Sequence, residues 1–211
     1  MAILDHSELQ VKRFDWCFSQ SPHAKAKLRH DIKRLAELQS IFYASEHYAL
    51  LIVLQGMDAA GKDGAIKHAM TGVNPQGVDV SSFKVPSTLE LDHDYLWRTT
   101  NALPPSYDEQ RKRLLARIDT PEKNWKLSAS DVHERTFWNN YQRAYEEMLE
   151  HTSTDWAPWY IVPADHKWFT RVAVAGIVVA KLESLGLVYP QVGDEQRAHL
   201  AALGEQLRKS A

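Results

Sequence analysis

The sequence predicts an α/β fold, a three-layer α/β/α arrangement with helices packed on both faces of a parallel sheet. Three observations predict it. A short apolar run at 48–55 is bounded by a glycine, the signature of a strand buried on both faces of a parallel sheet. A helix-spaced segment follows it directly, and a second strand-then-helix unit begins at 77–83, where apolar and polar residues alternate. Amphipathic helices are expected at both ends of the chain.

In order along the chain, a polar and aromatic start gives way at Pro22 to a helix whose Leu28, Ile32, Leu35, Leu38 and Phe42 recur at spacings of three and four. Its other face carries Lys25, Arg29, Lys33 and Arg34, which reads most simply as a solvated face. Residues 1–47 form an N-terminal helical segment on this reading. The strand at 48–55 is followed by a glycine-containing loop and a helix at 63–70. The strand at 77–83 leads to a helix-spaced segment at 87–101.

A strongly basic helix is expected at 108–118, ending in the turn Asp119-Thr120-Pro121. Ser128 with Asp131 three positions later has the pattern of a capping box, opening a long helix through Trp138, Tyr141, Tyr145 and Met148. Residues 159–163 (WYIVP) are a third strand candidate, and helices at 169–185 and 194–210 complete the order. A chain of 211 residues with 44% hydrophobic and 25% charged residues fits one packed domain, 1–211.

The balance of charge excludes some classes of function. A net charge of −2 and a pI near 6.5 argue against a surface that captures nucleic acid or anionic lipid as a whole, so any polyanion site is local. The single cysteine, Cys17, cannot form an intrachain disulfide, which points to the cytoplasm. The longest apolar stretches, 49–54 and 172–180, are too short to span a bilayer; neither membrane nor nucleic acid is an expected partner. The ten histidines show no zinc-type spacing, and His93 and His166 are given no catalytic role.

The chemistry is carried by Gly56-Met57-Asp58-Ala59-Ala60-Gly61-Lys62, which matches G-x-x-x-x-G-K between a buried strand and a helix. Glycines let successive amides turn onto phosphate oxygens, the helix N-terminus adds its positive dipole, and a lysine ammonium bridges the terminal phosphates. The fold class is therefore P-loop NTPase-like. Where most such loops place a Ser or Thr hydroxyl on Mg²⁺, this chain has Asp63. A carboxylate is also a hard oxygen ligand, and Asp58 offers a second one, so the loop implies a polyphosphate held through Mg²⁺. The plainer reading of Asp63, an acidic residue favoured in a first helical turn, stands beside it.

Four peptides carry a resemblance to a known family: GMDAAGKDGAIKH at 56–68, GVNPQGVDVSSFKVPSTLELDHDYLWR at 72–98, RKRLLARIDTPEKNWK at 111–126 and APWYIVPADHKWFTRVAV at 157–174. Together they resemble the polyphosphate kinase 2 family, whose members move a terminal phosphate between polyphosphate and a nucleoside mono- or diphosphate. The YLWR peptide is similar to the subgroup that accepts both. The resemblance implies a donor and metal site at Asp58, Lys62 and Asp63, with Gly56, Met57, Ala59, Ala60, Gly61 and Gly64 around the phosphates. It implies Lys84 and Arg98 beside the acceptor, and a helical lid at 108–127 whose Arg113, Arg117, Lys123 and Lys126 close over the phosphates. Arg117 is expected to stabilise the transferring group. The implied ligands are inorganic polyphosphate, an adenine or guanine nucleotide and Mg²⁺; a homo-oligomer is left open, with the tail at 194–211 a candidate contact.

One departure has structural consequences. In the family, the peptide like Asn101-Ala102-Leu103-Pro104 precedes a long stretch with the second phosphate-site strand; here Pro105 leads straight to Tyr107 and the lid helix. Losing a strand beside 49–54 is expected to leave unpaired backbone and uncovered apolar surface there. Neighbouring strands closing the gap, a second chain filling it, and a compromised fold are the three outcomes open at this point. The non-enzymatic alternative is a shortened homologue that binds nucleotide or polyphosphate, or serves as a subunit partner.

Overall fold

The computed structural model describes residues 21–57, 59–81 and 106–209. Seven α-helices are defined among them: α1 (Ser21–Ser45), α2 (Lys62–Ala69), α3 (Tyr107–Ile118), α4 (Ala129–Glu134), α5 (Trp138–Thr152), α6 (Lys167–Ser184) and α7 (Asp194–Lys209). The expected helix at 87–101 lies outside the described residues.

The core is organised around α6, the most apolar of these helices. The spacing of apolar residues on α1 has its expected effect: Leu35 and Leu38 pack on Val178, Val179 and Leu182 of α6, with Phe42, Leu50, Met70 and Leu185 at the rim. Burial of each such side chain contributes roughly 1.5–3 kcal/mol. A second cluster sets Ala65 and Ala69 of α2 against Val174 and Ala175, small residues that let the two helices approach closely. The 172–180 stretch is thus a core helix, as its composition predicts. Among the described residues no helix is long and apolar enough to cross a membrane.

Polar contacts fix how α1 meets its neighbours. Arg34 Nε donates to Glu183 Oε1 on α6 at 2.8 Å, while Lys25, Arg29 and Lys33 stay on the solvated face. Periodicity alone does not show that Asp31 and Gln39 are buried. Asp31 pairs with Lys27 one turn earlier, and Gln39 Oε1 accepts from the Asn74 N–H at 3.3 Å, holding the turn after α2 against α1.

The expected sheet is not seen among the described residues. No described residue lies in a strand: 48–57, 78–81 and 158–164 are irregular, and residues 82–83 lie outside the described set. An apolar run becomes a strand only when a neighbour takes up its amides and carbonyls. Among the described residues no such ladder forms. The run at 48–55 instead contributes Leu50 and Leu54 to the α6 clusters, while Leu51 is 78% exposed and Ile52 also faces solvent.

The long helix expected after Ser128 is interrupted. Its capping box is present: Ser128 Oγ accepts from the Asp131 N–H, and Asp131 Oδ2 accepts from the Ser128 N–H. The helix then tightens into a 3-10 turn, Arg135–Phe137, before α5 begins. At that turn Arg135 reaches back to α3, donating to Gln110 Oε1 at 3.1 Å and Tyr107 O at 2.9 Å, its guanidinium 3.7 Å from the Tyr107 ring centroid. This three-part anchor fixes the turn at the point where the helix changes pitch.

Candidate functional site

The loop after the 48–55 run turns sharply because two of its residues adopt left-handed backbone. Ala59 has φ 61° and Gly61, which caps α2, has φ 95°. Ala60 between them is buried, and its N–H donates to Met57 O at 3.2 Å. The loop therefore closes on itself and delivers the chain straight into α2, where the Ala65 N–H is the first to reach an acceptor inside the helix, Gly61 O at 3.0 Å. By helix geometry the amides of Asp63 and Gly64 have no intrahelical acceptor and present their hydrogens beyond the helix start.

Lys62 is half-buried, and its Nζ donates to Gly56 O and, at 3.4 Å, to Met57 O. The ammonium thus sits inside the curl of the loop. Asp63 is exposed in the first turn of α2. A Cβ added to Gly64 would meet nothing within 4 Å, so the first turn of α2 is open on that side. Asp58 lies outside the described residues, as do Lys84 and Arg98.

Among the described residues no group of three His, Cys, Asp or Glu is gathered for a metal.

The lid-like segment divides into two parts. Arg113, on α3, is brought to the loop: Nη1 donates to Ala59 O at 3.0 Å and Ala60 O at 2.9 Å, Nη2 to Ala164 O at 2.5 Å and Asp165 O at 3.3 Å, and Nε to Glu109 Oε1 at 2.8 Å. Arg117 is one turn further along the same face, in the last turn of α3. Lys123 and Lys126 follow in the 3-10 segment Pro121–Lys126, where Lys123 is exposed. Glu109 and the turn at 163–165 belong to this assembly too. Sequence reasoning missed them because backbone carbonyls are acceptors at every residue and carry no side-chain signature, while Glu109 reads as an ordinary first-turn acid of α3.

Asp165 ties α3 down at a second point, its Oδ1 accepting from the Ser106 N–H at 2.7 Å. His166, beside it, caps α6 and stacks on Trp168 with ring centroids 6.2 Å apart.

Comparison with known proteins places this arrangement. The family model described as polyphosphate kinase 2 matches residues 19–108 and 105–186. The chain belongs to the polyphosphate kinase 2 family. An ADP-polyphosphate phosphotransferase of Rhodopseudomonas palustris is 36% identical, the match covering 93% of this chain and 92% of the relative. An AMP/ADP-polyphosphate phosphotransferase of Meiothermus ruber is also 36% identical, over 75% of this chain and 81% of the relative. The crystal structure of polyphosphate kinase 2 from Arthrobacter aurescens TC1 superposes with a TM-score of 0.77 at 30% identity, covering 93% of this chain and 96% of that one. The overall fold is thus that of a polyphosphate kinase 2.

The family match falls into two pieces that meet at 105–108, where the sequence passes directly from Pro105 to the lid helix. The Rhodopseudomonas comparison runs over 266 positions, whereas 93% of these 211 residues is about 196, so about 70 of its positions stand opposite no residue here. An internal stretch present in this polyphosphate kinase 2 relative is absent from this chain. Leu51 and Ile52 are exposed on the 48–55 run that leads into the loop.

Proposed function

We propose that the chain is a polyphosphate-dependent nucleotide kinase, moving a terminal phosphate between inorganic polyphosphate and an adenine or guanine nucleoside mono- or diphosphate in the cytoplasm. The single observation that carries this reading is the loop from Gly56 to Lys62, capped by left-handed Gly61 at the start of α2 and set within a chain that matches the family on both sides of it.

Phosphoryl transfer requires mainly positioning and neutralisation of charge, and the residues divide along those lines. Gly56, Met57, Ala59, Ala60, Gly61 and Gly64 form the cradle, with the α2 dipole behind it. Lys62 swings its ammonium from the loop carbonyls to the terminal phosphates. Asp58 and Asp63 would hold Mg²⁺, which supplies positive charge between the carboxylates and the polyanion. Lys84 and Arg98 are the residues proposed to bind the acceptor, and Arg117, Lys123 and Lys126 bring positive charge from the lid.

A second reading is favoured by the absent internal stretch and the exposed Leu51: a shortened homologue that binds polyphosphate or nucleotide without efficient turnover. One assay separates the two. Purified chain with Mg²⁺, ADP or AMP and long-chain polyphosphate is followed for new nucleotide phosphate beside Lys62→Ala. Turnover lost by 100-fold or more in the variant supports the kinase. Lys62-dependent binding without turnover supports the shortened homologue, and turnover unchanged in Lys62→Ala would remove the loop from the mechanism.

A further inference from the structure

Every N–H of the Arg113 guanidinium ends on a protein acceptor: four backbone carbonyls and the Glu109 carboxylate. The side chain is 10% exposed. Two of the carbonyls belong to Ala59 and Ala60 in the phosphate loop, and two to Ala164 and Asp165 at the end of the 158–164 run. From this geometry we infer that Arg113 is the positioning residue of the phosphate loop, and that contact with phosphate falls to Arg117 and the lysines beyond it. The inference deepens the proposed function and rests on it for the identity of the anion.

The physical argument concerns peptide planes. In a trans peptide the C=O and the following N–H point in opposite directions. Holding Ala60 O at 2.9 Å from Arg113 therefore aims the Gly61 N–H away from the guanidinium, and holding Ala59 O does the same for the Ala60 N–H, which closes on Met57 O. These two planes are flanked by the left-handed residues, Ala59 at φ 61° and Gly61 at φ 95°. A non-glycine residue in that region needs surrounding structure to hold it there, and the Arg113 fork supplies two of the bonds.

The same fork links the loop to α3 and to the carbonyls of Ala164 and Asp165, tying the base of the lid to the cradle. Lysine cannot substitute. Its ammonium has three donors on one atom, whereas the four carbonyls are distributed around a planar fork.

The test compares wild-type chain, Arg113→Lys, Arg113→Met and Arg117→Gln by two measurements. One is amide hydrogen exchange over 57–65 without any phosphate present, which reads the Ala60 and Ala65 hydrogen bonds. The other is binding of long-chain polyphosphate with Mg²⁺ across a salt series, because each lost phosphate contact makes the affinity less salt-dependent. Expected are tenfold or faster loop exchange and tenfold or weaker binding in both Arg113 variants, with the wild-type salt slope. Arg117→Gln is expected to leave loop exchange unchanged and to reduce the slope.

Wild-type exchange and affinity in Arg113→Lys would overturn the inference, as would a reduced slope with unchanged exchange in Arg113→Met. If wild-type chain binds no polyphosphate, the proposed function fails and the exchange measurement alone decides the role of Arg113. Should Arg113→Met not fold, Arg113→Lys carries both measurements.

Discussion

Ala59 and Gly61 stand two positions apart in the phosphate loop and both hold left-handed backbone, at φ 61° and 95°. Only glycine adopts that region without a steric penalty of roughly 1–2 kcal/mol. A Cβ on Gly61 would lie 3.6 Å from Arg113 Nη1, an ordinary contact, so backbone strain and not crowding sets the cost there. Gly61→Ala is expected to lower stability by about 1–2 kcal/mol. Ala59→Gly, which relieves strain while loosening the unfolded chain, is expected to leave stability unchanged or raise it by up to about 1 kcal/mol. Urea denaturation of both variants checks this, and equal losses would contradict the assigned backbone.

Two leucines separate the covered from the uncovered part of the molecule. Leu35 is 2% exposed among α6 side chains, whereas Leu51 is 78% exposed on the run that leads into the loop. Leu35→Ala is expected to cost about 2–5 kcal/mol, because it opens a cavity in a packed cluster. Leu51→Ala is expected to stay within about 0.5 kcal/mol. A loss of several kcal/mol at Leu51 would mean that another surface covers it in solution.

Two tyrosines on α5 are expected to contribute to the pH dependence on the alkaline side. Burial, with Tyr141 adding to it, pushes the Tyr145 phenol up to about 12, and a hydrogen bond to Glu134 pushes Tyr141 up to about 12 as well. A raised pKa means that the folded state holds the proton more tightly than the unfolded chain, whose tyrosines titrate near about 10. The stabilisation is complete below about pH 10 and is lost as pH rises toward about 12, where the folded phenol ionises. For half-buried Tyr145 the effect is on the order of 2 kcal/mol. Denaturation at pH 9 to 12 should show this decline flattened in Tyr145→Phe; an identical decline in the variant would assign the transition to other groups.

Asp63 lies exposed in the first turn of α2, so the metal role proposed for it is separable from its structural worth. Asp63→Asn is expected to raise the Mg²⁺ needed for half-maximal phosphate transfer tenfold or more. Its cost in stability should be no more than about 1 kcal/mol, the worth of an acidic residue in a first helical turn. Titration of activity with Mg²⁺ after chelation checks it. An unchanged requirement would leave Asp63 as an ordinary first-turn residue.

Much of the helical framework was legible in the sequence. The spacing of Leu35 and Leu38 anticipates the seam of α1 on α6, Ser128 and Asp131 form the reciprocal cap their spacing implies, and G-x-x-x-x-G-K is followed by a helix beginning at Lys62. These are local properties, fixed by residues three or four apart. The gap at 105–108 was also legible, as the loss of a peptide order that the rest of the chain preserves, and the two-piece family match has the same break.

Tertiary structure decided what depends on distant partners. Whether 48–55 pairs as a strand is a matter of neighbours, and among the described residues the run is irregular. The surroundings of Arg113 were equally hidden. A basic residue on a lid-like helix reads as a phosphate ligand, because its charge is written in the sequence whereas the carbonyls of Ala59, Ala60, Ala164 and Asp165 are not. Sequence by itself determined that this chain carries the G-x-x-x-x-G-K pattern at the start of a helix and the peptides of a particular family. The fold decided which of its cations are already engaged by the protein's own backbone, since a carbonyl becomes a partner only when distant segments bring it within reach.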